Sequence, residues 1–538
     1  MTAWNFADAY ERVAAVVPDA PCQRQAGRVV TWAAFDRRAN ALAAHLLAAG
    51  LGEQAKVAAY LTNCPEYLET YVAAFKAGLV PVNTNFRYGA EEVRYLLDNA
   101  DAEAVVFDTS FAPVLDEARP RLPKVRRWYG VGDGAPLPPW AVPYDGAVAA
   151  GCDRVAGPWG RSPDHLLLLY TGGTTGTPKG VMWRQDDLFN VLGASGNPLL
   201  GIPRSGDLHE YAAQITPPGP QFLPACPLVH GTGLFTAMLA MSRGGCVTTL
   251  AGRRFDADEL WQAVHDHRID GIAIVGDAFA RPMLAALDAA PARWDLSSLR
   301  VITSSGVMWS QEVKSGLLRH LPGVVLFDSL GSSEAIGLAA SLSAGGSTAG
   351  TGQFLLGPDV KVVTDDGRVV EPGSGEIGML AAPGLIPVGY YKDPEKTART
   401  FRTVGGHRYS LPGDYATVDA DGTVRLLGRG SAVINTGGEK VFAEEVEEAL
   451  KRHPSVQDAA VVGVPDDRFG TAVCAVVELA PGAAVDDAEL GTFVRGQLAS
   501  FKAPRHVVVV TSIGRSPTGK VDYRHLSDLA EQRVRSGN

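Results

Sequence analysis

The sequence predicts an α/β protein in two parts: a large N-terminal domain of α/β sheet subdomains and a small, mobile α+β C-terminal domain. The chain has 538 residues, and single hydrophobic cores stop growing at roughly 250–300 residues. Short apolar runs alternate with amphipathic stretches up to Gly428-Arg429-Gly430, after which the pattern changes. We therefore expect one domain at 1–429 and a second at 430–538, joined by a short hinge.

Periodicity predicts the elements of the large domain. A helix is expected over 65–77, because Tyr67, Tyr71, Ala74 and Phe75 fall on one helical face. The Pro/Gly-rich segment 130–143 is expected to be a surface excursion. Such alternation of strands and helices is typical of a large parallel or mixed sheet. The β-rich apolar runs that predict strands lie at 56–61, 80–82, 165–170, 271–275, 301–303 and 324–327.

The C-terminal hundred or so residues carry shorter elements, a length that suits a separate small domain. Strands are predicted at 459–462 and 472–479, and helices at 444–452 and 487–498. We expect this part to form a small α+β unit.

Composition excludes several classes of protein. With 46% hydrophobic and 20% charged residues, the chain is far from the signature of disorder. The net charge is −10 and the basic residues are scattered, so nucleic acid is not an expected partner. The N-terminus lacks the pattern of a secretory leader and no apolar run is long enough to span a membrane, so we expect a cytoplasmic protein.

A glycine- and threonine-rich segment directly follows the predicted strand ending at Tyr170. Glycines let backbone amides approach phosphate oxygens, threonine hydroxyls can donate to them, and a lysine can neutralise their charge. The segment departs from the P-loop pattern, because Thr-Pro separates Gly176 from Lys179 and no Ser or Thr follows the lysine. It predicts a phosphate-binding loop composed of Thr171, Gly172, Gly173, Thr174, Thr175, Gly176, Thr177, Pro178, Lys179 and Gly180.

This loop and four later segments resemble, in order, the motifs of the adenylate-forming superfamily. That superfamily includes acyl-CoA synthetases, peptide-synthetase adenylation domains and luciferases. The resemblance covers nearly the whole chain and implies the superfamily's two-domain fold. The segments are 170–180, 223–235, 328–334, 409–414 with 428–447, and 515–520.

The resemblance implies an ATP site. Glu334 would help to hold Mg²⁺ and Ser333 would contact phosphate, while Asp414 and Arg429 would bind the ribose. Leu330 replaces a tyrosine common in relatives, which puts aromatic stacking on adenine in doubt. The remaining ATP-binding residues, which would line the adenine pocket and its approach, are Ser305, Gly306 and Val307 on one wall and Asp328, Ser329, Leu330, Gly331 and Ser332 on the other.

The resemblance also assigns catalytic and substrate roles. Lys520, beyond a tight Pro-Thr-Gly turn, would stabilise charge as pyrophosphate leaves. His230 would close the acyl pocket and approach the carboxylate. Ser431 stands where relatives commonly have a hinge Asp or Lys. The expected catalytic residues are Lys520, His230, Glu334, Thr174 and Lys179; the acyl pocket would include His230, Gly276, Ala278 and Phe279; and CoA would meet Gly437, Gly438 and Lys440.

The function implied is an ATP-dependent, AMP-forming acyl-CoA ligase that uses ATP, Mg²⁺, CoA and a carboxylic acid. Small residues at the pocket wall with Trp183 and Trp309 nearby favour a bulky hydrophobic acid. Segments 180–186 and 434–442 look most like actinobacterial fatty-acyl and steroid-side-chain CoA ligases. A homodimer is a candidate assembly.

Two other functions stay open. A related enzyme of secondary metabolism could pass the activated acid to an amine, or activate nitrite to diazotise an aromatic amine. A non-catalytic nucleotide-binding regulator is the third reading, and the intact Lys179, Glu334 and Lys520 argue against it. CoA dependence would distinguish the ligase from the other enzymes, and pyrophosphate release would distinguish an enzyme from a binder.

Overall fold

A computed structural model describes residues 3–132, 135–171, 178–197, 201–430, 433–436, 439–466, 470–516 and 521–536. The described residues divide into two compact units. The first comprises those up to 349 together with 383–410, and the second comprises 350–382 and those from 411 onward. Residues 350–382 thus cluster with the C-terminal part, and the domain boundary at 429/430 stays a prediction.

The strands are bounded as follows in chain order: β1 Pro21–Gln25, β2 Arg28–Thr31, β3 Lys56–Tyr60, β4 Val80–Asn83, β5 Ala102–Asp108, β6 Arg127–Val131, β7 Val142–Pro143, β8 Leu166–Thr171, β9 Lys179–Arg184, β10 Gln221–Pro224, β11 Cys246–Thr249, β12 Gly271–Ile274, β13 Val301–Ser305, β14 Val325–Ser332, β15 Ala335–Ser343, β16 Gln353–Leu356, β17 Lys361–Val363, β18 Gly378–Pro383, β19 Gly389–Tyr390, β20 Phe401–Val404, β21 His407–Ser410, β22 Asp414–Val418, β23 Thr423–Arg429, β24 Val433–Thr436, β25 Glu439–Phe442, β26 Val456–Asp466, β27 Gly470–Leu479 and β28 His506–Val510.

The helices are bounded as follows: α1 Phe6–Val16, α2 Trp32–Ala48, α3 Pro65–Ala77, α4 Ala90–Asn99, α5 Ala112–Ala118, α6 Tyr144–Val148, α7 Gln185–Val191, α8 Leu208–Ala213, α9 Gly231–Met241, α10 Ala257–His267, α11 Asp277–Ala289, α12 Gln311–His320, α13 Pro394–Thr400, α14 Ala443–Lys451, α15 Asp487–Arg495 and α16 Tyr523–Ser536. No helix among the described residues is both long enough and apolar enough to cross a membrane.

Two large sheets organise the first unit. One runs in the order β2-β1-β11-β10-β12-β13-β14-β15, and its strands from β1 to β14 are parallel along that path. The other runs β19-β9-β8-β4-β3-β5-β6-β7, with β8 and β9 antiparallel. These sheets confirm the predicted α/β class. Parallel strands place their carboxyl ends along one edge, where open α/β sheets bind ligands.

Helix α3 is buried on all its faces, beyond the single face that its periodicity predicts. It packs against α1, α2, β3 and β4, so no side of it meets solvent. Its charged side chains are therefore paired. The fully buried Lys76 ammonium donates to Glu11 and Asp36, each at 2.7 Å. Burial opposes ionisation of Glu11, but hydrogen bonds from Arg161 and Lys76 lower its pKa to about 2.

The second unit contains a sheet in the order β16-β23-β22-β18, with β17 added to β18, and a three-stranded sheet β26-β27-β28. Both faces of the three-stranded sheet are covered. Ala459 and Val461 face the α14 side, whereas Ala460 and Val462 face the α16 side. Burial on both faces explains why 459–462 is a continuous apolar run without polar alternation.

Candidate functional site

The base of the phosphate loop is a β-hairpin. Strands β8 and β9 pair Thr171 with Lys179 and Tyr170 with Gly180. Gly180 is required by packing, because a Cβ there would lie 2.7 Å from Tyr170 Cε2. The Tyr170 hydroxyl donates to Asn99 Oδ1 at 2.7 Å, which fixes that ring. Thr171 and Lys179 thus stand side by side; the predicted loop residues Gly172, Gly173, Thr174, Thr175, Gly176 and Thr177 lie outside the described residues.

Lys179 forms an ion pair that the sequence did not predict. Its Nζ lies 2.7 Å from Asp393 Oδ2, and Asp393 also caps α13 by accepting from the Lys396 backbone N–H. The hydrogen bond with Asp393 raises the pKa of Lys179, and the same bond lowers the pKa of Asp393. The lysine is therefore a cation at neutral pH, partly exposed, beside the predicted loop.

The turn that carries Glu334 is joined to β19 and β9 by two hydrogen bonds. Glu334 lies in the short turn between β14 and β15, and the Tyr390 hydroxyl donates to its Oε1 at 2.6 Å. Tyr390 belongs to β19, which pairs with β9. The Trp183 indole N–H, on β9 itself, donates to the Ser333 carbonyl at 2.9 Å. The structure thus ties the turn that carries Glu334 to β9, the strand that begins at Lys179, although 155 positions separate the two residues.

Glu334 has the chemistry of a magnesium ligand. Mg²⁺ prefers carboxylate oxygens and usually completes its coordination with water and substrate phosphates. Within the described residues, no three His, Cys, Asp or Glu side chains are grouped to hold a metal. A single oriented carboxylate fits a cation that takes its other ligands from a nucleotide and water.

The predicted adenine walls lie at the carboxyl ends of adjacent parallel strands. The β13–β14 register sets Ser305 beside Ser329 and Ser304 beside Asp328. Gly276 closes the neighbouring strand end, and its N–H donates to Ser304 Oγ at 2.9 Å. Gly276 has φ +53° and a Cβ there would lie 2.5 Å from the Met308 carbonyl oxygen, so glycine is needed. The predicted segments 305–307 and 328–331 therefore start from neighbouring strands.

A buried ion pair lies behind these walls. Lys314 Nζ, on α12, contacts Asp328 Oδ2 at 2.7 Å, and the two side chains are 1% and 7% exposed. The same ammonium lies 5.6 Å from the Trp309 ring centroid. Burial raises the pKa of Asp328 despite the adjacent ammonium. Because its carboxylate is occupied by Lys314, Asp328 offers the site its backbone and the support of this lysine.

The predicted acyl-pocket residues lie at the N-terminal ends of two helices, α9 and α11. His230 occupies the N-cap of α9 and is partly exposed. Ala278 is exposed on α11, whereas Phe279 is buried against Phe255 with ring centroids 4.7 Å apart. Phe279 therefore packs in the core of the first unit, and the acyl pocket stays a prediction.

Within the second unit, Asp414 and Arg429 are cross-strand neighbours on β22 and β23, and their shared ribose contact stays a prediction. The Asp414 side chain is buried. The side chains of Arg429 and Lys440 lie outside the described structure. So do residues Ser431, Gly437, Gly438 and Lys520, whose predicted roles stay predictions.

Comparison of the chain with models of known protein families identifies the family to which it belongs. Residues 10–387 match the family model of the AMP-binding enzymes, and residues 445–520 match that of the AMP-binding enzyme C-terminal domain. The chain belongs to the AMP-binding enzymes. This result confirms the resemblance identified from the motifs and the adenylate-forming fold.

Curated relatives in this family align along the whole chain. A medium/long-chain-fatty-acid–CoA/3-oxocholest-4-en-26-oate–CoA ligase of Mycobacterium tuberculosis is 43% identical over 99% of this chain and 97% of its own length. A 3-oxocholest-4-en-26-oate–CoA ligase of Rhodococcus rhodochrous is 41% identical over 98% of this chain and 96% of its own length.

A crystal structure of an anthranilate CoA ligase with anthranoyl-AMP superposes with a TM-score of 0.82, at 21% identity and 99% coverage of both chains. At that identity, the likeness is evidence for the fold alone.

Proposed function

We propose that this AMP-binding enzyme is an AMP-forming acyl-CoA ligase that activates bulky hydrophobic carboxylic acids such as medium- or long-chain fatty acids or steroid side-chain acids. The observation that carries this proposal is the 43% identity to a fatty-acid and steroid-acid CoA ligase over nearly the full length of both chains. The geometry supports it, because the turn of Glu334 is hydrogen-bonded to β9 and β19, and β9 begins at Lys179, at the phosphate-loop base.

The first half-reaction joins the acid to AMP. A carboxylate oxygen attacks the α-phosphorus of ATP, a new O–P bond forms, and the bond to the β-phosphate breaks as pyrophosphate leaves. Lys179 would neutralise phosphate charge, and Glu334 would hold Mg²⁺, which supplies charge neutralisation when bound. Lys520 would stabilise the charge that develops on leaving phosphate.

The second half-reaction transfers the acyl group to CoA. The thiolate sulfur attacks the acyl carbon, a C–S bond forms, and the C–O bond to AMP breaks as AMP leaves. Gly437, Gly438 and Lys440 would line the path of the pantetheine arm. His230, at the start of α9, would instead serve the first half-reaction, where it would close the acyl pocket and approach the carboxylate of the acid.

The acid class follows from the relatives and from the small residues that the sequence places at the pocket. The Mycobacterium tuberculosis and Rhodococcus rhodochrous proteins are named for fatty acids and for a steroid acid. An amine acceptor is not favoured, because these relatives are named CoA ligases. A cytoplasmic location and a homodimer stay predictions.

The test is to incubate the purified chain with ATP, Mg²⁺, CoA and a panel of acids of increasing size, and to follow products by mass spectrometry. We expect AMP, pyrophosphate and an acyl-CoA, with bulky hydrophobic acids turned over faster than acetate. Pyrophosphate release without thioester at any CoA concentration would refute the CoA acceptor. Absence of pyrophosphate with every acid would refute the activity itself.

A pair of variants tests whether Lys520 and Gly438 serve different half-reactions. Lys520→Ala should lower the rate of acyl-AMP formation by about a hundred- to a thousandfold. The conversion of supplied acyl-AMP to thioester should stay largely intact. Gly438→Leu should do the reverse, because a side chain would obstruct the pantetheine path. Equal slowing of both steps by Lys520→Ala would contradict the proposal.

A further inference from the structure

Asn83, the last residue of β4, is buried and uses its whole side-chain amide. Its Oδ1 accepts from the Tyr170 backbone N–H at 2.6 Å, and its Nδ2 donates to the Tyr170 carbonyl at 2.8 Å. The second Nδ2 hydrogen is donated to the Val229 carbonyl at 2.7 Å. The side chain is 1% exposed, so these three bonds are not replaced by water.

The two attachment points each precede a candidate functional residue. Tyr170 precedes Thr171, where the phosphate loop begins, and Val229 precedes His230. Strands β4 and β8 pair only at Val82 and Leu168. Beyond that pair, the Asn83 side-chain amide supplies the hydrogen bonds between β4 and β8. The same amide also donates to Val229, in the segment that leads into α9.

Packing at this junction is tight independently of the amide. A Cβ on Gly231 would lie 3.3 Å from Leu169 Cδ2, so the start of α9 lies directly against β8. The Asn83 amide adds hydrogen bonds to that contact, and its loss leaves side-chain packing alone to hold the phosphate-loop base against the His230 segment.

We propose that Asn83 is a positioning residue that fixes the base of the phosphate loop, at Tyr170 and Thr171, relative to His230 and thereby sets the approach of the carboxylate to the α-phosphate. This inference rests on the proposed function. Two separately bound reactants must be held in register in the first half-reaction, where a misplacement of about 1 Å can cost about a hundredfold in rate. Acyl-AMP is a single molecule, so the second half-reaction does not depend on that register.

Asn63 provides a matched control. Its Oδ1 accepts from the Leu228 N–H at 2.7 Å, and its Nδ2 donates to the carbonyls of Cys226 at 3.1 Å and Pro224 at 3.4 Å. It is the same residue type, with three hydrogen bonds to the segment before His230. None of these bonds reaches β8.

The experiment measures both half-reactions for Asn83→Ala and Asn63→Ala, with the intact chain and an acid that the wild type activates. Pyrophosphate release reports the first step, and thioester formation from supplied acyl-AMP and CoA reports the second. Asn83→Ala should slow the first step about a hundredfold and the second by less than about threefold. Asn63→Ala should change both steps by the same factor.

Asn83→Thr keeps a buried donor and replaces Asn83→Ala if that variant does not fold; it should also slow the first step more than the second, by a smaller factor. The inference is overturned if the Asn83 variants slow both steps equally. It is also overturned if Asn63→Ala slows the first step more than the second to the same extent as Asn83→Ala. Failure of the proposed function is distinguishable, because the wild type itself would then release no pyrophosphate.

Discussion

Lys314–Asp328 and Lys179–Asp393 are two lysine–aspartate pairs beside the candidate nucleotide segments, each with a separation of 2.7 Å. The first pair is almost fully buried, whereas the Lys179 and Asp393 side chains are 30% and 19% exposed. A buried ion has no solvent to replace a lost partner, but an exposed one can exchange its partner for a phosphate. The difference in burial therefore indicates different roles, although the distances are equal: the buried pair supports the walls, and the exposed pair keeps a cation available.

Breaking the buried pair should have the largest effect on stability. Lys314→Met leaves the Asp328 carboxylate buried and unpaired, which should lower the free energy of unfolding by about 3–5 kcal/mol. Denaturant unfolding of the intact chain measures this free energy. The double variant Lys314→Met with Asp328→Leu should recover most of the loss, because neither charge remains. A single variant as stable as the wild type would contradict the assignment of a structural pair.

Removing the exposed lysine should affect chemistry more than stability. Lys179→Ala should change the free energy of unfolding by less than about 1 kcal/mol but slow carboxylate-dependent pyrophosphate release about a hundredfold. Lys392→Ala is the matched control, since Lys392 is an exposed lysine paired with Asp101 at 2.7 Å. If both variants retain wild-type rates and ATP affinity, the phosphate role of Lys179 is wrong.

Removing the partner of Lys179 should have a smaller effect. Asp393→Asn keeps a side-chain oxygen for the α13 cap and frees the ammonium for phosphate. We expect the KM for ATP to change by less than about threefold, because exposed pairs contribute only about 0–1 kcal/mol. Steady-state kinetics at varied ATP measures it. A loss as large as that in Lys179→Ala would mean that Asp393 itself acts on the nucleotide.

The smallest effect should be on the pH dependence of the free energy of unfolding, to which Asp393 and Asp328 contribute with opposite sign. Lys179 lowers the pKa of Asp393, so the stability from this pair is present above the ordinary aspartate value of about 3.9 and is lost as pH falls through the folded value. Burial raises the pKa of Asp328, so acid favours the fold as pH falls through that raised value. Urea unfolding of Asp393→Asn and Asp328→Asn against the wild type, from pH 7 to pH 3, should show both trends; parallel curves would contradict them.

Local patterns predicted much of the fold. The helix 65–77 has the predicted bounds, and the strand expected at 56–61 ends at Tyr60. The helix expected to reach 498 ends at Arg495. Segment 130–143 was expected to be a surface excursion; its ends, 130–131 and 142–143, pair in β6 and β7, and the described residues between them form no helix or strand.

The candidate site was predictable in its motifs and not in its connections. Glycine, threonine and lysine spacing revealed the phosphate loop, but nothing near Glu334 in sequence points to Tyr390, which is 56 positions away. Asp393 before Pro394 carries the signature of a helix cap, and its contact with Lys179 needs the folded chain. Lys314 and Asn83 read as ordinary polar residues until their burial is known.

The buried ammonium of Lys76 limits how the chain can be shortened for protein production. Deleting α1 would remove Glu11, one of the two carboxylates that neutralise Lys76, and would also take away the main partner of the buried Arg161 guanidinium. Trimmed versions that begin after Val16 should therefore accumulate as insoluble material, whereas an affinity tag placed before Asn5 leaves both contacts in place.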